Sequence, residues 1–245
     1  MEKITPNQQL IAKFKSQPDT LIFEGYCANA DSVVVYNDGD SYALVANVKG
    51  ATECCINTDS EKFVLEVVHL LRGKVKFCGV DPFVTDCLRQ RYQFLWENHC
   101  DLYVWNGQPL PHVCTQTIRP MLQQYAQKVS DGTFYHAEIA DVVDCLSRHP
   151  SAAVYVDGEP VCWCLLHLEK SLGMLYTEPQ HRHKGYALEV MTALCNEVIA
   201  RGDVPYAYII SDNVASKNLA VKYNLVYVKP ADYFEIDCDM SQDKL

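Results

Sequence analysis

The sequence of 245 residues has no apolar run of the ~18 residues that a membrane-spanning helix needs. It has no G-x-x-x-x-G-K-[ST] and no G-x-G-x-x-G, so neither common glycine-rich nucleotide loop is present. No two cysteines stand at Cys-x-x-Cys spacing, which removes the usual zinc and redox motifs. Glycine and proline are scarce, with 11 of each, which excludes collagen-like and low-complexity disordered chains. Basic residues are outnumbered, 21 Lys and Arg against 31 Asp and Glu, for a net charge of −10. That balance excludes sequence-independent nucleic-acid binding, which works by neutralising phosphates with Lys and Arg. It leaves room for one local basic pocket that takes a small anion.

What the chain does have is cysteine, 12 residues in all. The closest pairs are Cys54-Cys55 and Cys162-x-Cys164, the second inside an apolar run where alternate strand positions share a face. Met1 to Gln9 lacks the charged-then-apolar pattern of a signal peptide, and Glu2 does not suit a mitochondrial presequence. The expectation is therefore a cytoplasmic protein whose cysteines are reduced, mostly buried, small apolar residues.

The length suits one large domain or two of ordinary size. The first half reads as mixed α and β. A short helix is expected from Asn7 to Phe14, and strands at Ser32–Tyr36 and Tyr42–Val48 around the turn residues Asn37 to Asp40. Thr58 and Glu61 have capping-box spacing ahead of a helix from Phe63 to Leu71, stopped by Gly73. Val75–Val80 is a strand candidate. Asp81-Pro82 opens a helix carrying Val84, Cys87, Leu88 and Tyr92, and Cys100–Trp105 is a further strand. No catalytic motif stands in this half. Asn106 to Pro120, with three prolines and a glycine, is the linker candidate, which gives domains at 1–120 and 121–245.

The second half begins with an amphipathic helix from His136 to Ser147. Strands Ala152–Val156 and Val161–Leu166 flank the hairpin signal Asp157-Gly158. A tight turn through Glu169-Lys170-Ser171 leads to a third strand, Leu172–Thr177. Glu178 to Ala187 follows as a basic loop and runs directly into a helix with Leu188, Met191, Cys195, Val198 and Ile199 on its apolar side. Glu189, Asn196, Glu197 and Arg201 form the expected wet side, and Gly202 the stop. Amides at a helix start are unpaired and lie at the positive end of the dipole, so they make an anion site. Gly185 and Ala187 let a ligand come close to the backbone, while Arg182, His183 and Lys184 supply positive or hydrogen-bonding groups. A diphosphate is the natural guest. His181-x-His183 lacks further ligands at motif spacing, so no metal is expected.

The chain continues with a strand at Pro205–Ile210, the cap cluster Ser211-Asp212-Asn213, a helix at Val214–Tyr223, and an extended stretch from Tyr227 to near Ile236. The order α-β-β-β-loop-α-β-α-β, with the run Leu175-Tyr176-Thr177-Glu178-Pro179-Gln180-His181-Arg182-His183-Lys184-Gly185-Tyr186-Ala187, resembles the GNAT superfamily of acyl-CoA-dependent N-acyltransferases. Asn213, Ser216, Leu219 and Lys222 resemble that family's second cofactor motif, N-x-x-S-x-x-L-x-x-K. The closest-looking branch is the glycine N-acyltransferase-like one, whose N-terminal half resembles a degenerate copy of the same fold.

The resemblance implies an α+β GNAT fold with a central, mostly antiparallel sheet. It implies acetyl-CoA or another acyl-CoA as co-substrate and no metal. The amides of Arg182, His183, Lys184, Gly185, Tyr186 and Ala187 would hold the diphosphate. The backbone of Leu175, Tyr176 and Thr177 would meet the pantetheine arm beside a bulge, and Asn213 and Ser216 would face the cofactor. The reaction implied is direct attack of a small-molecule amine on the thioester, in a monomer or homodimer with no nucleic-acid or membrane partner. Glu169 and His167 are the candidates for the base. The family's acid, a tyrosine after Leu219, is replaced here by Ala220, with Tyr223 three residues on. The alternative is a non-catalytic acyl-CoA-binding or regulatory protein with a degenerate active site.

Overall fold

A computed structural model describes residues 1–133 and 137–241. The elements, in chain order, begin with β1 (Glu2–Ile4), α1 (Gln8–Lys15), α2 (Leu21–Asn29), β2 (Ser32–Asp38), β3 (Ser41–Val48), β4 (Ala51–Asn57), α3 (Glu61–Val68), β5 (Lys74–Val80), α4 (Pro82–Arg89) and β6 (Tyr92–Trp105). They continue with β7 (Ile118–Arg119), α5 (Ala126–Gly132), α6 (Ile139–Arg148), β8 (Ser151–Val156), β9 (Glu159–Leu166), β10 (Leu172–Thr177), α7 (Tyr186–Ala200), β11 (Tyr206–Ile210), α8 (Val214–Lys222) and β12 (Leu225–Ser241). One order, α-α-β-β-β-α-β-α-β, occurs twice: α1 to β6, and again α5 to β12.

Two compact units result. One takes Met1–Leu102, Tyr208–Asn213 and Tyr227–Leu245, and the other Tyr103–Ala207 and Val214–Val226. The division therefore does not fall at 120 and 121. Asp232 to Asp237 pair antiparallel with β5, which returns the C-terminal strand to the first unit.

One sheet has eight strands in the order β1-β2-β3-β4-β5-β12-β6-β11. Local chemistry sets its corners. Asn7 caps α1 by accepting from the Leu10 amide at 2.9 Å, and Asp81 caps α4 with Pro82 in the first turn. Lys49 and Gly50, both at positive φ, turn β3 into β4 as a type I′ pair allows. β4 pairs with β3 in unbroken register and with β5 in parallel. Phe63, Val64 and Val67 from α3 and Val84 and Leu88 from α4 pack on Cys54, Phe77 and Phe234. The cap of α3 is Ser60, which accepts from the Phe63 amide at 3.3 Å, and not Thr58. Thr58 accepts instead from the Ser60 amide at 3.0 Å. The helix at Pro82 ends at Arg89, so Tyr92 belongs to β6 and not to α4.

The second unit has a four-stranded sheet ordered β10-β9-β8-β7. Asp157 and Gly158, again both at positive φ, close the expected β8–β9 hairpin. The helix expected from His136 is α6, starting at Ile139; His136 itself lies outside the described residues. Its buried residues Val142 and Cys145 join Val129, Trp163, Leu165 and Met174 in one core. The stretch 106–120 is strapped down and not a loose linker. Ile118 and Arg119 pair with β8, Asn224 Nδ2 donates to Pro109, and Thr115 and Gln116 donate to α7. All 12 cysteines are free thiols and 10 are buried, with Cys27 and Cys114 half-buried.

Candidate functional site

The site is built where β10 ends and α7 begins. Along β10 the register slips between Gly173 and Tyr176: Gly173 faces Leu165 and Tyr176 faces Trp163, so β10 carries one extra residue. Met174, at φ 51, takes the strained turn of that bulge. β10 has only β9 as a neighbour, so its other edge has no strand partner among the described residues. The backbone of Leu175, Tyr176 and Thr177 thus lies just past a bulge on an open sheet edge.

The loop then turns through Pro179–His181, where the His181 amide donates to Glu178 at 2.8 Å. Arg182, His183 and Lys184 are exposed. The Arg182 Nε donates to the Thr177 carbonyl at 3.1 Å, with its guanidinium 5.8 Å above the Tyr176 ring, which fastens the loop to the strand end. Lys184 Nζ lies 3.5 Å from His181 Nδ1. His183 at φ 60 and Gly185 at φ 82 bend the chain into the helix. Gly185 is the N-cap of α7, and no side chain caps that helix. A Cβ at Gly185 would meet nothing within 4 Å, so glycine serves the left-handed turn and leaves the space above the helix start open. The first-turn amides of Tyr186 and Ala187 therefore face a basic loop with no built-in acceptor at the N-cap. Asn213 is exposed at the turn after β11, its amide donating to Ile210 at 2.9 Å, and Ser216 is half-buried in α8.

The catalytic candidates are placed differently. Glu169 is buried, at 9% exposure, where a solvated hairpin charge would be expected. Its carboxylate accepts from the Ser171 hydroxyl at 2.6 Å, and its carbonyl accepts from the Tyr206 hydroxyl. His167 lies on the same hairpin, its ring packed directly over Gly173, the first residue of the register slip; a Cβ there would collide with the imidazole. Glu169 and His167 are thus held at one end of β10, at the turn that leads to the bulge. Tyr223 directly follows α8. It is wholly buried, and its hydroxyl donates to the Leu188 carbonyl and accepts from Thr192 at 3.3 Å. Burial pushes its phenol well above the ordinary tyrosine range. It ties α8 to α7. Ala220 is buried as well.

One residue was misread in the sequence. Glu189, expected on the wet side of α7, is 5% exposed. It accepts from the Thr115 amide at 2.9 Å, the Thr115 hydroxyl at 2.7 Å, the Gln116 amide at 3.3 Å and His112 Nε2 at 3.2 Å. Burial opposes its ionisation, but the hydrogen bonds from Thr115, Gln116 and His112 outweigh it and hold the carboxyl below the usual range. Its partners stand more than seventy residues away in sequence, so no local pattern signals the pairing. Among the described residues no group of three or more His, Cys, Asp or Glu could hold a metal, and no helix is long and apolar enough to cross a membrane.

A family model, that of the FR47-like proteins, matches residues 156–225, from the end of β8 to the first residue of β12. Among solved structures, a Drosophila protein is similar at a TM-score of 0.70 and 15% identity, over 96% of this chain and 91% of that one. A GCN5-related N-acetyltransferase-like protein from Streptococcus suis gives 0.57 at 12% identity, over 94% and 97%. A tandem GNAT protein of the clavulanic acid biosynthesis pathway gives 0.51 at 10% identity, over 89% and 88%. The bulged strand, the loop and the capless helix all lie within the matched 156–225 segment, and the whole chain has the GNAT fold, a mixed α+β architecture with a central, mostly antiparallel sheet.

Proposed function

We propose that this chain is an acyl-CoA-dependent N-acyltransferase whose coenzyme seat is the junction of β10 and α7. One observation carries the reading: a helix start with a positive-φ glycine and no side-chain cap, behind a bulged strand with an open edge. The amides of residues 182–187 and the charges of Arg182 and Lys184 suit a diphosphate. The open edge at Leu175–Thr177 suits the amides of a pantetheine arm, and Asn213 and Ser216 belong to the run that resembles the family's second cofactor motif. In the transfer an amine nitrogen bonds the thioester carbon, the C–S bond breaks, and the amine proton passes to a base. Glu169 and His167 are the groups for that base. The donor is acetyl-CoA or a longer acyl-CoA, the acceptor a small-molecule amine or amino acid, and the nearest branch the glycine N-acyltransferase-like one. We read the protein as a cytoplasmic monomer or homodimer, with the first unit a copy of the same element order that has lost the junction.

The placement of Tyr223, whose hydroxyl is engaged by Leu188 and Thr192, favours a second reading, a non-catalytic acyl-CoA binder. Turnover separates the two. Free-thiol release from acetyl-CoA with a panel of small amines supports the enzyme. Coenzyme A raising the melting temperature, with no thiol release for any amine, supports the binder.

A further inference from the structure

The chain has three tryptophans. Two of them spend their indole N–H in ordinary ways: Trp96 donates to Glu235 at 3.0 Å and Trp105 to the Gln108 carbonyl at 2.8 Å. Both are on partly exposed ground. Trp163 is the reverse. It is wholly buried on β9, and its Nε1 has no hydrogen-bond partner among the described residues. An unmet buried donor is destabilising, and a phenylalanine would fill a purely apolar place without it.

The location of this donor is specific. Trp163 stands directly across from Tyr176, the residue that ends the β10 bulge, with ring centroids 5.1 Å apart. It shares a core with Met174, the strained bulge residue. On its other side lies the last turn of α5: a Cβ at Gly132 would come 3.0 Å from the Trp163 Cζ2 and 3.1 Å from the Tyr176 Cγ. Cζ2 is on the N–H side of the indole, so that edge faces the seam between α5 and the bulge. Lys128, one α5 turn earlier, sits 6.0 Å from the same ring.

We propose that the Trp163 indole N–H is a specificity donor of the acyl-transfer site, kept for a carbonyl or carboxylate oxygen of a ligand seated at the bulge. This rests on the acyl-CoA reading above. The oxygen must come within about 3 Å of Nε1, so the last turn of α5 gives way on binding. Two ligands can bring such an oxygen: the donor, through its acyl carbonyl, and the acceptor, through a carboxylate.

The test uses the full chain labelled with 15N-tryptophan, in which Trp163→Phe assigns the third indole signal. Free coenzyme A, acetyl-CoA, and acetyl-CoA with glycine or with ethylamine are added in turn. Movement with acetyl-CoA but not coenzyme A assigns the acyl carbonyl. Movement with glycine but not ethylamine assigns the acceptor carboxylate. Either supports the proposal. Coenzyme A binding with a Trp163 signal that stays still throughout overturns it alone, whereas wild-type protein that binds no coenzyme A overturns the acyl-CoA reading with it. Site-specific benzothienylalanine at 163 keeps the ring shape and deletes the N–H. The expected result is an unchanged or higher melting temperature, unchanged coenzyme A affinity, and acetyl-CoA affinity or glycine KM worse by about tenfold. A markedly lower melting temperature would show that the N–H already serves a protein acceptor, and the proposal would fall.

Discussion

The starts of α3 and α7 occupy the same place in the repeated element order, each helix following the third strand of its set, and they treat their amides oppositely. At α3, Ser60 turns its hydroxyl onto the Phe63 amide and Thr58 accepts from Ser60. The strand before it, β4, is in register with β3 and paired with β5. At α7, Gly185 caps with backbone alone, the preceding loop is basic, and β10 is bulged with an open edge. The repeated order delivers a helix start behind a strand in both units. The two starts differ by a serine or a glycine, one extra strand residue and one missing neighbour.

The comparison breaks most visibly if the second junction is made to resemble the first. Gly185→Asp gives α7 a carboxylate cap in the space left open above the helix. Aspartate tolerates a left-handed φ better than most residues, so the fold should survive with a loss of about 1 kcal/mol. Coenzyme A affinity, measured by titration calorimetry, should fall by at least about a hundredfold, since the cap fills the anion seat and repels the diphosphate. An unchanged affinity would remove the junction as the coenzyme site.

Next in size is the strap on α7. Glu189→Ala leaves the donors of Thr115, Gln116 and His112 facing a cavity and should cost about 3 kcal/mol in urea unfolding. The wild-type carboxyl is held below its ordinary range, so its contribution is complete above the unfolded-state pKa, about 4.3, and fades as pH falls through the lower folded value. Glu189→Gln should therefore flatten the acid limb of the stability curve below about pH 4 and leave its slope near neutrality alone. An unaltered acid limb would mean that the clasp does not depend on ionisation.

The sequence makes the second junction legible and, of the first, the helix but not the strand before it, for physical reasons. Asp157-Gly158, the meander and Gly185 announce themselves because each is a local backbone demand met by a particular residue. β4 escaped notice because it is paired on both sides, so Cys54, Cys55 and Ile56 are all buried and alternation is lost. Helix α2 escaped because Leu21, Ile22, Phe23, Gly25 and Tyr26 bury it nearly all round, leaving no stripe. The bulge is a property of register between two strands, and the Glu189 clasp joins residues more than seventy positions apart. Tyr223 was ambiguous because an aromatic at the end of a helix looks the same in sequence whether its hydroxyl faces a ligand or a neighbouring helix. Only the contact with Leu188 decides it.

The smallest effect sharpens the contrast from the other side. Ser60→Ala removes the cap that closes α3. One amide of the first turn loses its acceptor, a change worth about 1 kcal/mol, read as a lower urea midpoint. If a capless helix start were sufficient for the coenzyme, this variant would gain a second site and calorimetric stoichiometry would rise toward two. The expected stoichiometry is unchanged, because β4 remains paired on both edges. A second site in this variant would mean that the cap alone distinguishes the two junctions, and that the bulge and the open edge of β10 are incidental.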